Sequence, residues 1–214
     1  ADLHLVQEKI AWMVSYLFGL ESMCYLTTGL IDRGVTDCSL ESAMCKISGT
    51  EFLWYQTNRA LQLAGGEGYM RSRRYEKFLR DIRIFPIFEG ANDVLRTYVA
   101  LTGLKPLGEK LSGLDNARLG ESIGSIGVLI DYAAGQVRPE TETSRLRGAH
   151  AELSRHADDV SDQVGELHER CSALLSKHLL AIINMGLQHK RIADAIADIY
   201  AQVAVLARVT ALFE

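Results

Sequence analysis

Proline is nearly missing: three occur in 214 residues. Strand-like alternation of β-branched residues is almost absent as well, which leaves little from which to build a sheet. Cysteine is scarce. Cys24, Cys38, Cys45 and Cys171 are widely spaced and include no CxxC pair of the metal-binding kind, so they read as reduced core thiols of an intracellular protein, not a disulfide framework. There is no basic excess; the net charge of −4 argues against a general nucleic-acid binder. No apolar stretch is expected to reach the roughly 18 residues a bilayer crossing needs. An initiator Met and a targeting peptide are also lacking. ADLHLVQEKI opens in helical register and ALFE closes with the pattern still running, so the expectation is a piece of a longer protein.

What remains is helical. Hydrophobic residues make up 48 % and charged residues 23 %, ordinary for a globular protein. Val6, Ile10, Met13, Leu17, Leu20, Cys24 and Ile31 recur at steps of three and four, with Thr27 filling the gap, which predicts one helix with that face buried. Gly29 and the Asp32-Arg33-Gly34 turn end it. Asp37 or Ser39 caps a second helix with Leu40, Met44, Ile47, Trp54 and Leu61 on its inner face, stopped by Gly65-Gly66. A short third, about Arg74 to Ile82, packs through Tyr75, Phe78, Leu79 and Ile82. A fourth starts near Asn92 and runs to Gly103. Residues 1–104 are therefore predicted to form a four-helix up-and-down bundle.

From Lys105 the pattern breaks. Gly108, Gly113, Gly120, Gly124, Gly127 and Gly135 interrupt residues 105–149, predicting a linker whose middle, Leu119 to Ile130, forms at most a weak amphipathic helix. Contact with a membrane surface through 112–136 is one alternative for it, although Glu121 and Asp131 are the wrong charges for a polar face on lipid. Residues 150–214 regain periodicity in two long stripes. One is Leu153, Val160, Val164, Leu167, Cys171 and Leu174; the other, after Gly186, is Ile192, Ile196, Ile199, Val203 and Leu206. These helices need each other or the first bundle to bury their faces. The chain is all-α.

Few motifs carry chemistry. GGEGYM at 65–70 lacks the last glycine of a dinucleotide fingerprint and follows no strand, so it reads as a helix stop. His168-Glu169-Arg170-Cys171 lacks the second His of a zinc-protease helix, and no metal site is predicted. Arg71, Arg73, Arg74, Lys77, Arg80 and Arg83 are mixed with Glu76 and Asp81, as on a salt-bridged helix surface. Glu89 stands apart. It follows Ile84-Phe85-Pro86-Ile87-Phe88 and precedes Gly90. A carboxylate sunk among those side chains would lose hydration, which raises its pKa and makes it a stronger base; capping of the next helix, or simple exposure, is the alternative.

Three motifs in order, Gln62-Leu63-Ala64-Gly65-Gly66-Glu67-Gly68-Tyr69, Leu79-Arg80-Asp81-Ile82-Arg83-Ile84, and Phe88-Glu89-Gly90 with Asn92-Asp93-Val94-Leu95-Arg96, resemble the C-terminal helical domain of the acyl-CoA dehydrogenase family. Leu5-Val6-Gln7-Glu8-Lys9 looks like the start of its first complete motif, and the resemblance covers roughly residues 3–104. GEKLSGL at 108–114 and His150-Ala151-Glu152-Leu153-Ser154-Arg155 look like the extension of the very-long-chain members. That extension is shared with a relative that doubles as an assembly factor for respiratory complex I.

The resemblance implies that Glu89 is the base removing the pro-R α-proton of an acyl-CoA thioester while the β-hydrogen leaves as hydride to FAD, giving the trans-2-enoyl-CoA. It implies substrate contact at Gly90. It implies FAD contacts at Ala91, Asn92 and Asp93, and contacts from Gln62, Leu63, Ala64, Gly65 and Gly66 to the cofactor of a partner subunit in a homodimer. The family usually has Thr at the position of Ala91, so one hydroxyl contact is missing. Electron-transfer flavoprotein is the implied acceptor, and the mitochondrion or a bacterial cytoplasm the implied compartment. The piece alone is expected neither to hold FAD firmly nor to turn over. A helical scaffold that keeps Glu89 as a relic is the rival reading.

Overall fold

The computed structural model describes residues 2–112 and 145–213, and every regular element among them is helical. They are α1 His4–Asp32, α2 Ser39–Ala64, α3 Gly66–Tyr69, α4 Tyr75–Ile82, α5 Asn92–Ser112, α6 Ser154–His178 and α7 Gly186–Phe213, with 3₁₀ turns at Ala151–Leu153 and Leu179–Asn184. The predicted linker helix, and the membrane-contacting stretch 112–136 apart from Ser112 at the end of α5, lie within residues 113–144, outside those described.

Helix ends follow local chemistry. Past α1, Gly34 takes φ +87° while its N–H bonds the Ile31 carbonyl and the Val35 N–H reaches back to Leu30, closing the turn as only a residue without Cβ does easily. At the start of α2 the Asp37 carboxylate accepts from the Ser39 hydroxyl and N–H, which hold its pKa below the usual carboxylate range. Gly65, at φ +59°, ends α2 where the sequence places the stop. The fourth helix runs to Ser112, past the expected end at Gly103 and through Pro106.

Four long helices surround the core in the ring α1, α2, α5, α7. Contacts give their directions. Thr27 meets Cys45 while Tyr16 stacks on Phe52, so α1 and α2 run antiparallel. Ser39 bonds Tyr98 while Lys46 bonds Asn92, so α2 and α5 do too. Thr27 bonds Tyr200 while Glu21 pairs with Arg208, so α7 opposes α1. The 8-residue α4, about 12 Å long against about 39 Å for the 26-residue α2, is too short to be a full bundle member. It lies on α2 and buries only Ile82 of its four predicted packing residues. The missing member is α7. The C-terminal helices thus share one core with the first ones: Ile192, Ala193, Ala197, Tyr200 and Ala204 sit in the same cluster as Met23, Leu30, Leu40, Met44, Val99 and Leu104.

The buried face of α1 differs from the predicted one. Thr27 of the predicted stripe is buried, but its buried companions are Met23 and Leu30, whereas Ile10, Leu17, Cys24 and Ile31 are exposed. A shift of one residue turns a helix by about 100°, and here two adjacent stripes are apolar while the described residues cover only one. Contrary to the expectation from the sequence, helix α7 is long and apolar enough to cross a membrane by length and composition, because charged residues are few along it. In the structure it is the bundle helix against α1, α5 and α6.

Polar groups fix the docking of α7. The Thr27 hydroxyl donates to the Met23 carbonyl (2.8 Å), leaving its oxygen to accept from the Tyr200 hydroxyl at 2.6 Å and the Cys45 thiol at 3.3 Å. Burial pushes the Cys45 thiol up to about 11 and raises the Tyr200 phenol as well. Nearby Glu41 is 2 % exposed, and its Oε2 has no partner among the described residues. Burial raises its pKa, partly offset by a backbone hydrogen bond. The folded protein therefore holds this proton more tightly than the unfolded chain, so Glu41 costs stability as pH rises above about 4.3, the ordinary glutamate value. Glu41→Gln is expected to raise the melting temperature near pH 7 and change it little below about pH 4; a gain that is the same at both pH values contradicts this.

Candidate active-site turn

The turn carrying Glu89 is built by short-range bonds. After α4, the Phe85 N–H bonds Ile82, and the N–H groups of Ile87 and Phe88 both bond Ile84. The Pro86 carbonyl accepts the Asn92 N–H at 3.0 Å, tying the apolar stretch to the first residue of α5. Between those anchors Glu89 takes φ +53° and Gly90 φ +94°. Glu89 is the only non-glycine residue with positive φ among the described residues. Left-handed backbone costs a residue bearing Cβ about 1–2 kcal/mol, so something has to hold it there.

The holding groups come from α2. Lys46 Nζ donates to the Gly90 carbonyl and to Asn92 Oδ1, both at 2.7 Å. Asn92 is 4 % exposed, and its Nδ2 donates to Thr50 Oγ1 at 3.0 Å and Glu51 Oε1 at 3.4 Å. Glu51 in turn accepts from Arg96 at 2.7 Å, and the other side of that guanidinium donates to Asp194 on α7, also at 2.7 Å. Lys190 completes the string on Asp194. Burial lowers the Lys46 pKa, opposed by the charge of Glu51. Burial would lower Arg96 too, but bonds to Glu51 and Asp194 outweigh it and the net shift is upward. Asp194 is raised by burial and pulled down further by Lys190 and Arg96, ending below the ordinary value. Its neighbour Asp198 is raised, by burial and then by the charge of Asp194.

The structure brings residues 89–93 together on one turn, with Glu89, Gly90 and Asp93 exposed, Ala91 half-buried and Asn92 buried. Gln62, Leu63, Ala64, Gly65 and Gly66 are not part of it. They lie at the far end of α2, about three turns or roughly 16 Å beyond Glu51, with Gln62, Gly65 and Gly66 exposed. The dry surround expected for Glu89 is not built by the described residues. Ile84, Ile87 and Phe88 are 48 %, 52 % and 41 % exposed, and Phe85, whose ring lies 5.3 Å from that of Phe88, is at the edge of exposure too. They form an exposed apolar stretch immediately before Glu89 in the chain. The basic cluster is salt-bridged as expected, through Arg73–Glu67, Lys77–Asp81 and Arg80–Glu76.

Lys46, Thr50, Glu51, Arg96 and Asp194 escaped the sequence reading. A signal existed: Lys46 and Thr50 stand one turn apart beside the apolar Met44 and Ile47, and Arg96 interrupts the apolar face of α5 one turn after Asn92.

Residues 1–103 match the family model described as "Acyl-CoA dehydrogenase, C-terminal domain", and residues 151–214 match "ACAD9/ACADV, C-terminal domain". The chain belongs to the acyl-CoA dehydrogenase family. Within that family it is 40 % identical over 208 residues to the mitochondrial very long-chain specific acyl-CoA dehydrogenases of Rattus norvegicus and Homo sapiens, taking in 95 % of this chain and 32 % of each relative. It therefore spans about a third of the length of the curated relatives it matches. A solved acyl-CoA dehydrogenase complexed with FAD, from Bacillus anthracis, superposes with a TM-score of 0.72 over 99 % of this chain and 36 % of that one; at 24 % identity this likeness concerns the fold alone.

Gly90 offers a test of the turn. A Cβ there would sit 3.2 Å from Leu95 Cδ2 in addition to the unfavourable φ, whereas a Cβ on Gly34, at φ +87°, would meet nothing within 4 Å. Gly34→Ala is expected to cost about 1–2 kcal/mol in denaturant unfolding, and Gly90→Ala more. Equal losses would mean that Leu95 gives way freely.

Proposed function

We propose that this chain is the base-bearing C-terminal helical part of a flavin-dependent dehydrogenase of long or very-long-chain acyl-CoA thioesters, with Glu89 as the base. The observation that carries the reading is the left-handed Glu89, fixed on a turn anchored from α2 and preceded by the exposed apolar side chains of Ile84, Phe85, Ile87 and Phe88. Strained backbone of this kind clusters where a side chain must be aimed.

The residues present fit a flavin dinucleotide in part. Gly65 and Gly66 are exposed and a Cβ at either would meet nothing within 4 Å, so a flat group could lie against their backbone. Ala91 and exposed Asp93 lie at the N-terminal end of α5, whose dipole favours an anion, with the Asn92 N–H already taken by Pro86 and Asp93 supplying one negative charge. Asn92 fits differently from expectation. Its amide is committed to Lys46, Thr50 and Glu51, so it would support the cofactor turn from behind. FAD, when bound, supplies the hydride acceptor. Glu89 then takes the α-proton of the thioester on one of its carboxylate oxygens, and the apolar stretch of Ile84, Phe85, Ile87 and Phe88 keeps water from that proton once acyl chain and neighbouring domains close over it. A carboxylate removed from water becomes a stronger base, as abstraction from carbon requires.

On the same reading the substrate is an acyl-CoA, an electron-transfer flavoprotein takes up the electrons, and the mitochondrial names of the relatives support that compartment. The parent is a homodimer in which Gln62–Gly66 reaches the partner's cofactor; the roughly 16 Å along α2 between this segment and the Glu89 turn supports two separate cofactor contacts. Glu89→Gln in the full-length flavoprotein is expected to keep its flavin while flavin reduction by a long-chain acyl-CoA slows by about 10²–10⁴-fold. Unchanged reduction in stopped-flow absorbance would leave the scaffold reading in its place.

A further inference from the structure

Lys46 is placed unusually for a lysine. It is half-buried on α2, and among the described residues no carboxylate forms an ion pair with it. Its ammonium spends two short bonds on neutral oxygens instead, the Gly90 carbonyl and Asn92 Oδ1, each at 2.7 Å. Those oxygens flank Ala91. The first belongs to the peptide immediately after the two residues with positive φ, so holding it fixes the plane that follows Gly90. The second belongs to a side chain that Thr50 and Glu51 already lock from the same helix. The turn is thereby pinned from α2, and Glu89 itself is exposed.

We propose that Lys46 is a positioning residue for Glu89, acting through the backbone of the 89–90 turn. The inference rests on the reading of Glu89 as the base and adds a role that the three motifs of the turn and helix ends do not include. Without the Gly90 bond, the left-handed backbone at Glu89 loses its nearest restraint and relaxes toward the right-handed region. That swings the Cβ direction and moves the carboxylate off the position it needs. A misplacement of about 1 Å at a reacting atom costs on the order of 10²-fold in rate.

The test compares Lys46→Met, Lys46→Gln, Lys46→Arg and Glu89→Gln in the full-length flavoprotein, with kcat expressed per bound flavin. Lys46→Met is expected to lower kcat about tenfold to a hundredfold while KM for a long-chain acyl-CoA stays nearly constant, since the loss falls on the transition state. Lys46→Arg, which keeps donors at that distance, restores part of it. Lys46→Gln serves if the methionine variant does not load flavin. A kcat per flavin unchanged in Lys46→Met, or failure of all three Lys46 variants to fold, makes Lys46 a structural residue and overturns the proposal. If Glu89→Gln itself keeps full turnover, the reading beneath the proposal has failed; if Glu89→Gln loses turnover and Lys46→Met does not, only the positioning role has.

Discussion

A buried primary amide must find acceptors for two N–H groups and donors for its oxygen, and at Asn92 all of them come from α2. That requirement sets the register of α2 against α5 to within one side chain. It places the Lys46 ammonium where it also captures the Gly90 carbonyl, and so determines how the chain enters α5. One turn later Arg96 makes a similar demand. Its buried guanidinium needs two carboxylates, and takes one from α2 and one from α7. A continuous string of polar contacts then joins the Glu89 turn to the C-terminal helix, across three elements far apart in sequence. Leaving any member unpaired inside the bundle would cost more than the contact itself is worth, which is why such a string holds its parts in one arrangement.

This division of labour makes chemical sense. The chain supplies aim: a carboxylate on a constrained turn, at the end of a helix whose position is fixed by buried polar bonds. The described residues do not supply dryness, since Ile84, Ile87 and Phe88 are exposed. On the proposed reading, water exclusion would come from the bound cofactor and acyl chain. A base that stays hydrated until substrate arrives is protected from reacting with nothing bound, and gains its strength when covered.

The sequence made much of this legible, by motifs and stops more than by faces. Helix ends at Gly34 and Gly65 could be read because positive φ demands glycine there. The salt-bridged surface of α4 could be read from charge spacing alone. The inner face of α1 could not. Ile10, Leu17, Cys24 and Ile31 form a perfectly regular apolar stripe, yet the stripe that is buried runs through Met23, Thr27 and Leu30. Periodicity reports that a face is apolar; it does not report which partner is present to cover it. That α7 packs on the first helices was one of two alternatives the sequence left open, for a related reason. Its buried positions include Ala193, Ala197 and Ala204, small residues that let helices approach closely but score weakly as a hydrophobic stripe. The place of Lys46 beside Met44 and Ile47 marked it as unusual, but not its role, because its bonds go to a backbone carbonyl and an amide 44 and 46 residues away, which no local pattern encodes.

The most direct measurement is a crystal structure of the full-length protein with flavin and a non-reactive long-chain acyl-CoA analogue. The account predicts that Glu89 keeps its left-handed backbone, that one carboxylate oxygen lies about 3–3.5 Å from the thioester α-carbon, and that the side chains from Ile84 to Phe88 are covered and free of water. A carboxylate that remains solvated, or points away from the flavin with the turn still clamped to Lys46, would contradict it.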